Sequence, residues 1–184
     1  MQTQKSDDKR QRKGSRSSRR EHSAYYDAIA ASYEELHGEE QEKKYEMILA
    51  NLPPLKGKRV LDVGCGTGLL FKHLEGSDCH GIDLSEELIR RVPKKYAARV
   101  QVAPAEDLPF PGSAFDIIIS VTALQNMMSP KQAIDEMKRV GKKAFAISFL
   151  KKSAKRETLE RLLRKAFPSA IWIEEEKDLI MIAK

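Results

Sequence analysis

Cysteine and long apolar runs are both scarce in this sequence. The two cysteines, Cys65 and Cys79, lack the paired spacing that zinc sites and disulfide frameworks show. We therefore expect no metal site and a reducing, cytoplasmic environment for the protein. The longest apolar runs are only as long as a strand, so no segment is predicted to span a membrane. The first residues are basic and lack an apolar core segment, which argues against a secretory signal.

Basic and acidic side chains balance over most of the chain, which therefore has no net charge beyond position 20. The 184 residues carry a formal net charge of +6, and positions 1–20, with eight basic and two acidic side chains, account for all of it. Those positions are almost devoid of apolar side chains, so they cannot offset the entropy cost of ordering. We predict a disordered basic tail at 1–20 and a single domain at 21–184. The tail suits RNA or the ribosome, and a solvated tail without a partner is the alternative.

The most informative stretch, 59–70, reads R-V-L-D-V-G-C-G-T-G-L-L. It begins as an apolar strand interrupted only by Asp62, turns through Gly64, Gly66 and Gly68, and continues with the apolar spacing of a helix. Glycine tolerates positive φ and has no Cβ, so the backbone can turn sharply and lie against a ligand. Strand, glycine turn and helix together form the opening unit of a nucleotide-binding α/β fold.

Three kinds of ligand could lie against such a turn. A phosphate-binding P-loop requires G-x-x-x-x-G-K-[ST], and this stretch has no such lysine. A dinucleotide site requires G-x-G-x-x-G, but Leu69 stands where the third glycine should fall. S-adenosylmethionine is favoured by Asp62, whose carboxylate would repel a pyrophosphate and would suit a cationic sulfonium and ammonium. A glycine turn without any ligand is the remaining alternative.

A second acid follows at the end of the next predicted strand. The segment 79–85 is a short strand ending in Asp83, which lies 19 residues after Gly64. Nucleotide-binding folds place a carboxylate near this offset for the ribose hydroxyls, and a carboxylate can accept from both of them. Capping of the next helix is the alternative role for Asp83, but Ser85 is better placed for it.

The remaining pattern alternates strands and helices, as in α/β folds. Further strands are predicted at 99–103, 115–121, 143–150, 171–174 and 179–182, and the last two form a hairpin. Helices are predicted at 23–33, at 39–52, at 85–97 with an interruption at Pro93, at 130–140 after a Ser129 cap and before Gly141, and at 153–167.

The strand 115–121 indicates where an acceptor would bind. Its unbroken isoleucines indicate burial on both faces, as in a parallel sheet. Because the carboxyl ends of such strands form the ligand crevice, we expect the following segment, 122–128, to be a wall of the acceptor site.

Several of these motifs resemble one known family. Residues 60–68 resemble the first motif of the class I S-adenosylmethionine-dependent methyltransferases. The segment 104–116 resembles the family pattern D-A-E-x-L-P-F…F-D, although Pro104 stands where the family has an acid. Residues 26–33 resemble the Y-D-x-x-A-x-x-Y segment that covers the methionine end of the cofactor in many members. The similarity extends over about 25–184. It implies an α/β fold with a doubly wound, mostly parallel, seven-stranded sheet and a C-terminal antiparallel hairpin.

The resemblance also implies a set of residues that bind S-adenosylmethionine. In the family, the alanine of the loop meets the adenine ring through its backbone N–H, and the acid before it takes the exocyclic amine. Because Pro104 has no side-chain acceptor, Glu106 or Asp107 is the expected substitute. No catalytic residue is assigned. The candidate cofactor-binding residues are Tyr25, Tyr33, Asp62, Gly64, Cys65, Gly66, Gly68, Asp83, Leu84, Ala105, Glu106 and Val121.

The implied activity is transfer of a methyl group from S-adenosylmethionine. The basic tail favours a macromolecular acceptor, either RNA or a translation-related protein. Some compact relatives work with a small zinc-binding activator protein, and the resemblance implies the same partner here. A small-molecule acceptor is the alternative. A non-enzymatic, cofactor-binding scaffold is a second alternative, because Pro104 and the polar pair Gln125 and Asn126, where many relatives carry histidine and an aromatic residue, depart from the family pattern.

Overall fold

The computed structural model describes residues 33–184, with side chains from residue 41 onward. The predicted basic tail and the segment that contains Tyr25 lie outside the described residues. The strands are β1 (Arg59–Val63), β2 (Asp78–Asp83), β3 (Val100–Val102), β4 (Phe115–Ser120), β5 (Gly141–Leu150), β6 (Ile171–Glu174) and β7 (Asp178–Ala183). The α-helices are α1 (Tyr33–Ala50), α2 (Glu86–Arg91), α3 (Pro130–Val140) and α4 (Arg156–Ala166), and 3₁₀ helices cover Leu69–His73, Ala97–Arg99 and Leu124–Asn126.

The seven strands form one sheet in the order β3-β2-β1-β4-β5-β7-β6. The strands from β3 to β5 are parallel, whereas β7 runs antiparallel between β5 and β6. The strand order reverses between β1 and β4, so the loops that follow these two strands open a crevice at the carboxyl edge of the sheet. The predicted doubly wound sheet with a C-terminal antiparallel hairpin is confirmed.

Helices cover both faces of the sheet, which is why β4 is apolar throughout. Ile118 packs into the core under α3 and α4, while its neighbours Ile117 and Ile119 pack into the core under α1 and the 3₁₀ helix Leu69–His73. Successive side chains of a strand point to opposite faces, so a strand buried on both faces needs apolar residues without alternation.

Two helix starts follow the predicted capping chemistry. Ser85 Oγ accepts a hydrogen bond from Leu88 N over 3.1 Å at the start of α2, and Ser129 Oγ accepts one from Gln132 N over 3.4 Å at the start of α3. Helix α2 ends at Arg91, because Pro93 cannot continue the backbone hydrogen bonding. The predicted interruption of this helix is therefore an early end.

Several predicted boundaries differ from the structure. The helix predicted at 39–52 begins earlier, at Tyr33, and ends at Ala50. The helix predicted at 23–33 lies, except for Tyr33, outside the described residues. The helix after the glycine turn is a short 3₁₀ segment. Gly141 ends α3 as predicted, since its backbone N–H donates to the carbonyl of Met137, but its backbone is extended (φ −88°, ψ 155°) and it also begins β5 directly. A Cβ at Gly141 would lie 2.6 Å from Cε1 of Phe145 and 2.7 Å from Cγ1 of Ile118, so close packing explains this glycine.

Within residues 33–184, no helix combines the length and apolar character needed to cross a bilayer.

A buried ion pair connects α1 to the C-terminal hairpin. The Lys44 ammonium lies 3.1 Å from Oδ1 of Asp178, and both side chains are fully buried. Oδ2 of Asp178 also accepts hydrogen bonds from Thr122 Oγ1 over 2.7 Å and from Ser148 Oγ over 2.8 Å. Such a pair tolerates burial only because each charge is matched and hydrogen-bonded.

Replacing Lys44 by methionine tests the importance of this pair. We expect K44M to lower the free energy of unfolding by about 3–5 kcal/mol, because it leaves the Asp178 carboxylate buried without its counter-charge. Urea unfolding at pH 7 measures the change. The matched control is K43M at the exposed neighbouring position of the same helix, which should change stability little. Equal effects of the two variants would contradict a special role for the buried pair.

Candidate cofactor-binding site

A crevice lies at the carboxyl ends of β1, β2, β3 and β4. Its main cavity contains about 780 Å³ of empty space, including the open mouth. The lining residues are Gly64, Gly66, Ile82, Asp83, Leu84, Leu88, Ala103, Pro104, Ala105, Glu106, Val121, Thr122, Ala123, Asn126, Met127 and Met128.

The glycine turn forms the floor of the crevice. The backbone N–H groups of Gly64 and Cys65 both donate to the carbonyl of Ile82, over 2.8 and 2.9 Å, which holds the turn against β2. Gly64 has a φ of 82°, and a Cβ there would lie only 2.6 Å from Cβ of Ala123. The first glycine is therefore required both by the backbone conformation and by the close approach of the loop after β4.

Asp83 lies at the end of β2 in the wall of the main cavity, at a fixed orientation. Its Oδ2 accepts a hydrogen bond from Gly66 N, and its Oδ1 accepts one from Ser85 N, both over 2.9 Å. Each carboxylate oxygen can accept a further hydrogen bond. The position suits the predicted contact with two ribose hydroxyls, which stays a prediction. Leu84, next in sequence, lines the same cavity.

The loop after β3 supplies the wall predicted to face adenine. Ala105 and Glu106 both line the cavity and are nearly buried, whereas Asp107 is exposed and does not line it. Glu106 Oε1 accepts a hydrogen bond from Ser129 N over 3.1 Å, which ties this loop to the start of α3. Of the two acids proposed as substitutes for Pro104, the structure brings only Glu106 to the cavity.

A second, smaller cavity continues from the main one on the α1 side of the glycine turn. We call it the polar cavity, and it shares Gly64, Gly66 and Val121 with the main cavity. Among the described residues, Gln41 Oε1 and Thr67 Oγ1 are buried without a hydrogen-bond partner. Buried polar atoms without partners are uncommon, and here they mark a place for a polar ligand group. The remaining lining residues are Tyr45, Asp62, Cys65 and Leu69.

Asp62 lies deep in the polar cavity rather than at the lip of the turn. It is only 3% exposed. Burial, together with the nearby charge of Asp83, raises the pKa of Asp62 to about 8. The predicted pairing of a charged Asp62 with a cationic ligand stays a prediction, since burial favours the neutral form of this carboxyl in the free protein. Burial also raises the pKa of the Cys65 thiol, with smaller contributions from Asp62 and Asp83.

The other predicted site residues lie elsewhere or outside the described side chains. Gly68 precedes the 3₁₀ helix with a φ of 78° and packs toward Val92 without lining either cavity. Tyr33 is the first residue of α1, and its side chain is not among those described. Tyr25 lies outside the described residues.

Sequence reasoning missed the role of Thr122 in the cavity wall. Its φ is 54°, a conformation that costs a β-branched residue on the order of 1–3 kcal/mol. Two contacts hold it there: Thr122 N donates to Ser148 Oγ over 2.8 Å, and Thr122 Oγ1 donates to Asp178 Oδ2 over 2.7 Å. Its partners are 26 and 56 residues away, so no local signal indicated them.

The predicted acceptor wall is held in one conformation by several hydrogen bonds. Gln125 Nε2 donates to Thr122 O over 2.6 Å. The Lys155 ammonium donates to the carbonyls of Gln125 and Met127 over 2.9 and 3.1 Å. Asn126, Met127 and Met128 line the cavity, and among the described lining residues no histidine is present.

Gln41 and Thr67 were also missed. Gln41 lies three residues before Lys44 on α1, so the two side chains share one face of the helix. Thr67 lies inside the glycine turn, where a threonine between glycines could have suggested a ligand contact. The described side chains contain no cluster of histidine, cysteine and acidic residues that could hold a metal ion.

The raised pKa of Asp62 predicts how stability depends on pH. A carboxyl whose pKa is higher in the folded than in the unfolded state binds more protons when folded, so stability is lost as pH rises from about 4 to about 8. We expect D62N to remove this contribution, on the order of 1 kcal/mol per pH unit, and to be more stable than the wild type at pH 8. Urea unfolding at pH 5, 6, 7 and 8 gives the slope of unfolding free energy against pH for the wild type and for D62N.

The matched control for this test is D116N. The pKa of Asp116 is lowered, chiefly by the hydrogen bond from the Arg59 backbone N–H. The contribution of Asp116 to stability is therefore present above its unfolded pKa and is lost only in more acidic solution. D116N should leave the slope between pH 5 and pH 8 unchanged. A wild-type slope that D62N does not alter would contradict the assignment to Asp62.

Sequence comparisons agree with this architecture. A family model described as "Methyltransferase domain" matches residues 61–147. An uncharacterized protein of Methanocaldococcus jannaschii is 36% identical over 116 residues, which cover 63% of this chain and 45% of that protein. The tRNA U34 carboxymethyltransferase of Hahella chejuensis is 38% identical over 104 residues, covering 52% of this chain and 32% of the enzyme. The chain thus spans half or less of the length of these two relatives.

Solved structures share the fold over most of the chain. An S-adenosylmethionine-dependent methyltransferase of Thermotoga maritima, a possible histamine N-methyltransferase, aligns with a TM-score of 0.68 and 19% identity. A methyltransferase of Haloferax volcanii, in complex with the Trm112 methyltransferase activator, aligns with a TM-score of 0.67 and 18% identity. Each alignment covers 85% of this chain and 96% of the other. Residues 61–147 thus match a methyltransferase domain, and the chain shares its fold with these two solved methyltransferases.

Proposed function

We propose that this protein transfers a methyl group from S-adenosylmethionine to a macromolecular acceptor, either RNA or a translation-related protein. The observation that carries the proposal is the crevice itself. It combines an oriented carboxylate at Asp83, an apolar wall that includes Ala105, and the polar cavity beneath Gln41 and Thr67. These three parts suit the ribose, the adenine and the amino-acid end of one cofactor molecule.

This arrangement assigns individual residues to contacts with particular parts of the cofactor. Asp83 accepts hydrogen bonds from the ribose hydroxyls, and the backbone N–H of Ala105 meets the adenine ring. Glu106 is the acid available for the exocyclic amine, because one of its oxygens is already used by Ser129 N and the other is left for a ligand. The unpartnered oxygens of Gln41 and Thr67 fit the amino-acid end.

Methyl transfer requires little from the protein beyond alignment of the acceptor atom with the methyl group. When bound, the cofactor supplies a methyl group on a sulfonium, which is a good leaving group. Holding an acceptor atom in line with that methyl group can provide most of the rate enhancement through proximity. The hydrogen bonds that fix the wall from Thr122 to Met127 serve this purpose. The described lining offers no histidine base, which suits an acceptor that is already nucleophilic at neutral pH.

Two observations favour a macromolecular acceptor. The net charge of +6 is concentrated at positions 1–20. A basic segment of this kind suits a polyanionic acceptor. One relative acts on tRNA according to its name, and one structural neighbour is bound to an activator protein. We include a small zinc-binding activator protein as a partner in the proposal.

Cofactor binding is tested first with an Asp83 variant. We expect the wild type to bind S-adenosylmethionine and D83A to bind it about tenfold or more weakly, because each hydrogen bond to a charged group contributes about 1.5–3 kcal/mol. Isothermal titration calorimetry gives both affinities. The matched control D107A removes an exposed acid from the neighbouring loop and should bind normally. Wild-type binding that D83A leaves unchanged would rule out the ribose contact.

The acceptor class is tested by removing positions 1–20. We expect the truncated protein to bind total tRNA more weakly, and its log–log salt dependence to be shallower by about one unit for each phosphate that the tail neutralises. Fluorescence anisotropy at several salt concentrations measures this. The matched control keeps the length of the tail and replaces its eight basic residues by glutamine. If the charge of the tail is responsible for tRNA binding, this control should show the same weakened affinity and shallower salt dependence as the truncated protein.

Transfer of tritiated methyl groups distinguishes the remaining functions. The wild type is incubated with labelled S-adenosylmethionine and a cell extract separated into RNA, protein and small-molecule fractions. Label in RNA or protein supports the proposal. Label only in the small-molecule fraction, unaffected by the truncation, would support a small-molecule methyltransferase instead. Cofactor binding without any transfer, even with an activator protein present, would indicate a non-enzymatic scaffold.

A further inference from the structure

A loop rich in basic residues joins β5 to α4. Residues 151–156, which we call the basic loop, read K-K-S-A-K-R and carry four positive charges without an acid. Because β5 runs parallel to β4, the two strands end at the same edge of the sheet. The basic loop therefore lies at the edge where the crevice opens, beside the segment 122–128.

Direct contacts hold the basic loop against the predicted acceptor wall. The Lys155 ammonium donates to the carbonyls of Gln125 and Met127, over 2.9 and 3.1 Å. At the start of the loop, Lys151 N donates to the carbonyl of Lys177 over 2.8 Å. These contacts give the loop a defined position next to the wall.

Two cations of the basic loop are available to a ligand. Lys152 and Arg156 are exposed, and neither side chain forms a hydrogen bond or an ion pair with another described residue. Lys151 is less available, since its ammonium lies 3.8 Å from Oε2 of Glu174. Unpaired cations at the rim of a crevice attract anions toward that crevice.

Two other six-residue windows within 33–184 contain four cations and no acid, but they differ from the basic loop. In the window 90–95, both arginines are paired with acids of the preceding helical turns. In the window 138–143, Lys142 and Lys143 lie at the start of β5, at the opposite edge of the sheet. A strand rises about 3.3 Å per residue, so roughly 30 Å of β5 separates these two lysines from the basic loop.

The turn between β6 and β7 limits the direction from which an anion can approach. Its acids, Glu174, Glu175 and Glu176, lie beyond β5 as seen from the acceptor wall. Glu157 is exposed in the first turn of α4 and reduces the net charge beside Arg156. An extended anion is therefore repelled on the side of the hairpin and attracted on the side of the wall.

The rim of the crevice also offers an apolar contact. Met128 lines the main cavity and is 36% exposed, although it is a large apolar residue. When an enzyme takes a nucleobase into its site, the flanking parts of the strand stay outside. An apolar opening beside exposed cations matches a nucleic acid, in which an uncharged base lies between charged phosphates.

We propose that the basic loop binds the phosphate backbone of an RNA acceptor, with Lys152 and Arg156 contacting the phosphates that flank the nucleotide in the crevice. The Arg156 guanidinium presents a fork of N–H donors that suits a phosphate, and the Lys152 ammonium acts as a point charge. Lys155 positions the loop through the two carbonyls of the wall. This inference rests on the proposed methyl transfer to a macromolecular acceptor and selects RNA as that acceptor.

The experiment compares two double variants of the full chain. K152Q/R156Q removes two charges from the basic loop. The matched control, K142Q/K143Q, removes two charges from the other end of β5, where both lysines are exposed. Fluorescence anisotropy with total tRNA and with fragmented ribosomal RNA, at several salt concentrations, gives the affinity and its salt dependence. Circular dichroism establishes that both variants are folded.

We expect K152Q/R156Q to bind RNA about tenfold more weakly at low salt, with a log–log salt dependence shallower by about 1.5 units, because each phosphate contact contributes about 0.7–0.9 units. K142Q/K143Q should change the affinity by less than about twofold. In the labelled methyl-transfer assay, K152Q/R156Q should raise the RNA concentration needed for half-maximal transfer and leave the rate at saturating RNA unchanged, since the reacting atoms are untouched.

Several outcomes would overturn this inference without overturning the proposed function. Equal effects of the two variants would mean that RNA responds to net charge rather than to the basic loop. An unchanged affinity of K152Q/R156Q, a weaker affinity with an unchanged salt dependence, or a wild type that binds neither RNA would exclude phosphate contacts by the loop. In each case, methyl label in the RNA or protein fraction leaves the proposed function standing.

The labelled fractions also separate RNA from the other acceptors. Label in protein alone, reduced by K152Q/R156Q and not by the control, would assign the basic loop to an acidic protein and overturn the choice of RNA. Label in the small-molecule fraction alone would overturn the proposed function together with the inference.

Discussion

The ion pair between Lys44 and Asp178 joins α1 to the C-terminal hairpin, and Asp178 also holds the loop after β4 through Thr122. Lys44 belongs to α1, which supplies Gln41 and Tyr45 to the polar cavity. Asp178 begins β7 and also accepts the hydroxyl of Thr122, which lines the main cavity. The crevice walls thus depend on one fully buried pair of charges, whose desolvation is tolerated only while every partner is in place. Stability and cavity shape are therefore linked in this protein.

The glycine turn and the loop after β4 are similarly interdependent. Gly64 leaves room for Ala123, and Thr122 must adopt a strained conformation to bring Ala123 there. Strain of this kind persists only when the surrounding contacts determine it, as the hydrogen bonds that Thr122 donates to Ser148 and Asp178 do here. The proposed methyl transfer needs alignment more than acid or base groups, and a rigid wall beside the glycine turn would provide alignment.

The buried acid at the end of β1 lies beside a second acid of the same crevice. Asp62 and Asp83 are close enough for each charge to disfavour the other, yet their surroundings differ. Asp83 is partly exposed and accepts hydrogen bonds from two backbone N–H groups. Asp62 is buried, and burial raises its pKa. The two carboxyls of one crevice therefore lie in different environments.

Much of the fold and part of the site followed from local patterns. The apolar strands, the glycine turn, the Ser85 and Ser129 caps and the interruption at Pro93 depend on contacts within a few residues, so the sequence alone indicated them. The position of Asp83 at the cavity also followed, since parallel strands bring their carboxyl ends to one edge. Tertiary structure decided the remainder. The burial of Asp62, the strain at Thr122 and the pairing of Lys44 with Asp178 arise between residues that are distant in sequence, and burial and pairing of charges exist only once those segments pack.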